Sequence, residues 1–121
     1  MQILESAEDY LESILMLKEK NGFVRSIDVA TELGVTRPSV SYAMKRLREN
    51  DYILFDESDR ISLTEKGLEI AERIYKKHRV LTEILKEIGV DEKTAIEDAC
   101  KIEHDLSDTS FEALLKHFNK N

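Results

Sequence analysis

Between residues 3 and 18, apolar side chains recur at Ile3, Leu4, Ala7, Tyr10, Leu11, Ile14, Leu15 and Leu17, a helical period with a single apolar stripe. Asn21-Gly22 ends the segment, the glycine supplying a left-handed stop. Ser26 is expected to cap a short helix from Ile27 to Leu33. Gly34-Val35 then makes a tight turn. Thr36 caps the next helix, with Pro38 in its first turn, where a missing N–H costs nothing. This helix is expected to reach about Asn50, with Val40, Ala43, Met44 and Leu47 inward. Two short helices joined by a glycine-containing turn form a helix-turn-helix.

The period then changes. Tyr52-Ile53-Leu54-Phe55 and Arg60-Ile61-Ser62-Leu63 are apolar, β-prone runs on either side of Asp56-Glu57-Ser58-Asp59, a hairpin such as the wing of a winged helix. Thr64 starts a long helix through Ile70, Ile74, Val80, Leu81, Ile84, Leu85 and Ile88, with Gly67 and a change of stripe near His78 as points of interruption. Gly89 stops it. Residues 92–105 read as another helix, and Ser107 or Ser110 caps a last one carrying Phe111, Leu114, Leu115 and Phe118. The fold class is mostly α, a winged helix-turn-helix over residues 1–73 followed by an all-helical region over 74–121. Val80, Leu81, Ile84, Leu85, Ile88, Leu114, Leu115 and Phe118 exceed what one small core needs, which predicts a two-fold homodimer.

At 121 residues the chain has room for one main core and a helical appendage. No apolar run approaches the roughly eighteen residues of a membrane-spanning helix, and the first residues are acidic where a secretion signal would be basic. A cytoplasmic protein without a membrane partner is expected, and a single cysteine fits a reducing compartment. The net charge of −7 argues against constitutive nucleic-acid binding. Its distribution modifies that conclusion, because residues 37–48 hold Arg37, Lys45, Arg46 and Arg48 with no acid. Bound divalent cations would offset the excess of carboxylates, although an ordinary acidic surface explains −7 equally well.

A recognition helix exposes short polar and aromatic side chains toward base edges. Here the outward positions are Arg37, Ser39, Ser41, Tyr42 and Lys45, with Pro38 beside them. Ser26, at a helix start, can present its backbone N–H to a phosphate, and Arg60 on the wing can follow the backbone or the minor groove. Winged helices also serve as protein–protein modules, so a metal-independent DNA-binding or interaction module is the rival reading.

The pentapeptide Cys100-Lys101-Ile102-Glu103-His104 places a thiol, a carboxylate and an imidazole at i, i+3 and i+4, on one helical stripe. Each carries a lone pair available to a divalent transition metal. Asp9 and Glu12 form a second pair at i, i+3, and His78 lies between. Each has a plainer explanation. The two carboxylates suit a solvated helix face, a lone histidine usually bridges helices, and a free cysteine is usually a small core residue. His117 reads as surface.

The chain as a whole resembles the diphtheria-toxin-repressor family of metal-dependent transcriptional regulators. The resemblance rests on SAEDYLESIL in the first helix, TRPSVSYAMKRL in the reading helix, LTEKG after the wing, KKHR in the long helix and AC-x-x-EH-x-x-SD near the end. The short form, without an SH3-like domain, is similar to the manganese transport regulators. The resemblance implies an N-terminal DNA-binding domain and a C-terminal metal-binding and dimerisation domain. It also implies metal ligation by Asp9, Glu12, His78, Cys100, Glu103 and His104. Asp9 and Glu12 stand where the manganese-responsive branch has two carboxylates, whereas the iron-responsive branch has Met at the first. Cys100 agrees with the iron branch, since manganese regulators often have Glu there. The ancillary site of the iron branch takes a carboxylate one turn after His78 and a histidine one turn before Cys100. Those positions are Thr82 and Ile96 here, a departure from it.

Carboxylates and imidazoles dominate this donor set, which favours Mn²⁺, with Fe²⁺ as the alternative. Cys100 can take part through its thiolate or only through its backbone carbonyl. The expected output is repression of metal-uptake genes from a palindromic double-stranded operator. Asp, Glu, His and Cys also build metallohydrolase sites. With the donors spent on ligation and no substrate domain left in the chain, an enzyme is not expected.

Overall fold

The computed structural model describes residues 5–118, so Ile3 and Leu4 of the first predicted stripe lie outside the described residues. Helix α1 (Glu5–Asn21) is followed by α2 (Ser26–Leu33) and α3 (Arg37–Glu49), then by strands β1 (Ile53–Phe55) and β2 (Ile61–Leu63). Helices α4 (Glu65–Glu87), α5 (Glu92–Asp105) and α6 (Asp108–His117) complete the order. The chain divides into two units between Glu72 and Arg73.

In the first unit, α2 and α3 form the helix-turn-helix, and Gly34 between them adopts the left-handed conformation, φ 66°. Thr36 caps α3, its Oγ1 accepting from the Ser39 N–H at 3.3 Å. The start of α2 differs from expectation. Ser26 is its first helical residue and Arg25 holds the N-cap position in extended conformation. An arginine side chain has no acceptor, so the helix start is tied the other way, with the Asp28 carboxylate accepting from the Arg25 N–H at 2.9 Å.

Strands β1 and β2 pair antiparallel, Ile53 with Leu63 and Phe55 with Ile61. In the connecting turn Asp56 Oδ1 accepts from the N–H groups of Ser58, at 2.8 Å, and Arg60, at 2.9 Å. These bonds, led by that of Arg60, hold the Asp56 carboxyl below its ordinary pKa. The Ile61 N–H also donates to the Val24 carbonyl at 2.7 Å, joining the hairpin to the α1–α2 connection. Leu11, Ile14, Val24, Val29, Val40, Met44, Ile53 and Ile61 are buried.

No interruption breaks α4 at Gly67 or at His78; the helix is continuous over 23 residues. Gly67 serves another purpose. A Cβ there would collide with the Tyr52 carbonyl, so the glycine lets the helix approach the residue before β1. Thr64 locks the approach, donating to the Asp51 carbonyl at 2.6 Å and accepting from the Gly67 N–H at 3.1 Å.

The second unit buries Ile74, Leu81 and Ile84 from α4, Ala95 and Ala99 from α5, and Phe111 and Leu115 from α6. Asp91 caps α5, and Ser107 rather than Ser110 caps α6. Lys77 lies in the buried stripe of α4. Its Nζ donates to the Leu106 carbonyl at 3.0 Å and pairs with Asp108 at 3.0 Å, stapling the α5–α6 junction to α4. Among the described residues no helix is long and apolar enough to cross a membrane.

Candidate metal centre and nucleic-acid interface

Ala95, Ala99 and Glu103 follow one another at i, i+4 and i+8 along α5, and each is fully buried. Glu103 thus ends a stripe of small apolar residues with a carboxylate, the group that loses most on leaving water. Its Oε1 lies 3.4 Å from His78 Nδ1 on α4. Neither of its oxygens accepts a hydrogen bond among the described residues. An ionised carboxylate held this way costs several kcal/mol unless a cation offsets it.

Cys100, one turn earlier, completes the group. Ligand atoms of His78, Cys100 and Glu103 all lie within 4.8 Å of one another. Donors bound at about 2.0–2.3 Å to one ion are separated by no more than roughly 4.5 Å, so small adjustments let the three share a metal. The residues fit such an ion. Imidazole and carboxylate suit first-row divalent metals, and the exposed thiol adds a softer donor.

His104 is half-buried on α5 in the same unit; Asp9 is half-buried and Glu12 buried, both on α1 of the first unit. Thr82 and Ile96, where an ancillary site would need a carboxylate and a histidine, offer no such donors. The Thr82 hydroxyl donates to the His78 carbonyl at 2.7 Å, and Ile96 is exposed. His117 is exposed and packs edge-on against Phe118.

Helix α3 is sharply two-sided. Val40, Met44 and Leu47 are buried, while Arg37, Pro38, Ser39, Ser41, Tyr42 and Lys45 are all exposed. Tyr42 is 63% exposed and accepts from Arg46 Nη1 at 3.4 Å, which stiffens a large side chain on the outer face. Ser26 is half-buried at the start of α2, and Arg60 is exposed next to β2. Sequence reasoning passed over Lys77, since nothing in a KKHR run says which lysine is buried. It also passed over Phe23 and Arg25, whose signal was the alternation of Phe23-Val24-Arg25 beside Arg60-Ile61.

Two family sequence models match the chain. Residues 2–58 match the iron-dependent repressor N-terminal DNA-binding domain, and residues 64–121 match the iron-dependent repressor metal-binding and dimerisation domain. An uncharacterised HTH-type transcriptional regulator of Methanocaldococcus jannaschii is 42% identical over 112 residues, covering 91% of this chain and 90% of its own. The HTH-type transcriptional regulator MntR of Bacillus subtilis is 37% identical over 109 residues, covering 90% of this chain and 77% of its own. The structure of the manganese regulator SloR superposes with a TM-score of 0.81 at 30% identity. All of this chain is covered by that match, which spans 56% of the SloR chain.

Proposed function

Because the chain belongs to the iron-dependent repressor (diphtheria-toxin-repressor) family of metal-dependent transcriptional regulators, which are not enzymes, and is similar to MntR over 90% of its length, we propose that it is a cytoplasmic, manganese-responsive repressor. It would act as a homodimer on a palindromic operator and silence metal-uptake genes when metal is plentiful. The observation that carries the metal response is Glu103, a fully buried carboxylate with no hydrogen bond to either oxygen among the described residues, beside His78 and Cys100.

The ligand set we assign is Asp9, Glu12, His78, Cys100, Glu103 and His104, drawn from both units. We place the division between the DNA-binding and the metal-binding and dimerisation domains at residue 73. A bound divalent ion would supply positive charge beside Glu103 and His78. Asp9 and Glu12 are hard oxygen donors that favour Mn²⁺ over Fe²⁺, and the Cys100 thiolate pulls toward softer ions. Ligation at these residues would make DNA binding depend on metal occupancy. In a dimer the two α3 helices would have to be spaced by about one turn of DNA. Moving such an equilibrium from 1:99 to 99:1 needs about 5.5 kcal/mol of preference for the DNA-binding arrangement. On the DNA side, Arg37, Ser39, Ser41, Tyr42 and Lys45, with Pro38, face the major groove, while Ser26 and Arg60 meet phosphates.

Selection of operators from a randomised duplex pool, with and without Mn²⁺, tests this reading. Recovery of a palindrome only with Mn²⁺ is expected. With that operator, Lys45→Ala should lower affinity for all sequences and reduce the salt slope by about one contact. Tyr42→Ala should relax discrimination between operator variants. Equal recovery of DNA with and without metal would instead favour a metal-independent winged-helix module.

A further inference from the structure

The connection between α1 and α2 runs beside β2, held there by the Ile61 N–H on the Val24 carbonyl. Extended segments alternate their faces. Val24 and Ile61 therefore point inward, 0% and 3% exposed, and Phe23, Arg25 and Arg60 share the outer surface. Their side chains converge. The Arg60 guanidinium lies 4.6 Å from the Phe23 ring centroid and that of Arg25 5.7 Å from the same centroid. A phenylalanine left 40% exposed beside the wing adds little to the core. It offers a flat π-face that holds cations by their attraction to the ring quadrupole.

Neither guanidinium has a carboxylate within ion-pair distance among the described residues. Asp56 lies near enough for both charges to lower its pKa, but its Oδ1 is committed to the N–H groups of Ser58 and Arg60. The two cations are thus gathered on one ring, with Asp56 offsetting their charge only in part. Arg25 stands at the start of α2, the first helix of the motif, which crosses the phosphate backbone in helix-turn-helix complexes.

We propose that Phe23 is a positioning residue for DNA binding, its ring pre-ordering Arg25 and Arg60 as a paired guanidinium clamp for phosphates flanking the reading helix. The proposal rests on the DNA-binding reading above and adds to it a residue that touches no DNA. Ordering a long side chain on binding costs rotamer entropy, which the ring removes for two arginines at once. Its loss should therefore weaken binding without removing charge.

The test uses the Mn²⁺-loaded full chain and a labelled mixed-sequence duplex of about 30 base pairs, titrated between about 50 and 200 mM salt. Phe23→Tyr, which keeps the ring, should bind like the parent. Phe23→Leu should bind about 5- to 150-fold more weakly with an unchanged salt slope. Arg25→Ala/Arg60→Ala should lose nearly two units of slope, about 0.9 for each phosphate contact. Adding Phe23→Leu to that pair should then change nothing further. A Phe23→Leu loss that persists in the double-arginine background would make the ring a fold element only and overturn the proposal, as would no loss in Phe23→Leu itself. A parent chain that binds no duplex would overturn the DNA-binding reading and the clamp together, whereas binding insensitive to Phe23 overturns the clamp alone.

Discussion

Glu103 continues the Ala95–Ala99 stripe with a carboxyl group where a third small or apolar residue would pack without cost. Burying it there costs stability that a cation bound under the proposed function would offset. Glu103→Gln keeps the shape and removes the charge. The metal-free variant should melt at the same or a higher temperature than the parent, because the desolvated carboxylate is gone. With metal at about a hundredfold its Kd, the parent should gain about 2.7 kcal/mol, or roughly 10 °C for a chain of this size, and the variant almost none. Calorimetry with and without Mn²⁺ reads both effects, and a full metal-induced rise in Glu103→Gln would remove this residue from the site. The neighbouring thiol has its own signature. If Cys100 ligates through sulfur, Co²⁺ should produce an intense near-ultraviolet charge-transfer band that Cys100→Ser abolishes. A band unchanged by the substitution would leave selectivity to the oxygen and nitrogen donors.

Helices and hairpin were legible because periods of 3.6 and 2 are local properties of the chain. Less legible was whatever depends on a distant neighbour. Gly67 looked like an interruption of α4, yet the helix passes through it and the missing Cβ makes room for the Tyr52 carbonyl. Two effects oppose each other in Gly67→Ala: alanine favours the helix by about 1 kcal/mol, and the collision with a backbone atom costs about 1–3 kcal/mol or more. The collision should win, lowering the urea midpoint; an unchanged or raised midpoint would contradict a close contact between Gly67 and the Tyr52 carbonyl. Ser26 looked like a cap because its side chain has the right chemistry, but the backbone starts the helix one residue earlier. In the site, the i, i+3, i+4 spacing of Cys100, Glu103 and His104 was visible and His78 stood out as a further donor on another segment, whereas its arrival beside Glu103 depends on how α4 packs on α5, which no local spacing shows.

Lys77 belongs to the same scale, tying α4 to the α5–α6 junction. Its hydrogen bond and charge hold the Asp108 carboxyl below its ordinary pKa. A depressed carboxyl stabilises the folded state above the unfolded value of about 3.9 and loses that contribution as pH falls through the lower folded value. Lys77→Met should therefore cost about 1–3 kcal/mol at neutral pH, mainly through the lost bond to the Leu106 carbonyl. The deficit should narrow slightly below about pH 4, the exposed Asp108 being well screened. A deficit that widens on acidification would contradict this assignment.

Across the whole molecule, charge and topology separate input from output. The acid-free run on α3 lies in a unit bounded by Glu72, and the His78–Cys100–Glu103 group lies in the other. Ile88, Ile96 and Ile102 are exposed in the second unit alongside the candidate ligands, apolar area that the dimerisation assigned to this region would cover. A net charge of −7 on the chain also makes DNA affinity sensitive to any cation that offsets carboxylates. The measurement that bears most directly on the coupling is anaerobic fluorescence anisotropy of the selected operator, titrated with Mn²⁺, Fe²⁺, Co²⁺ and Zn²⁺ and then with chelator, with elemental analysis of the complex. Tight binding that appears with Mn²⁺ at stoichiometric occupancy, collapses on chelation and is absent in Glu103→Ala is the expected result. Binding of equal strength in chelator-treated parent protein, or a full response in Glu103→Ala, would contradict it.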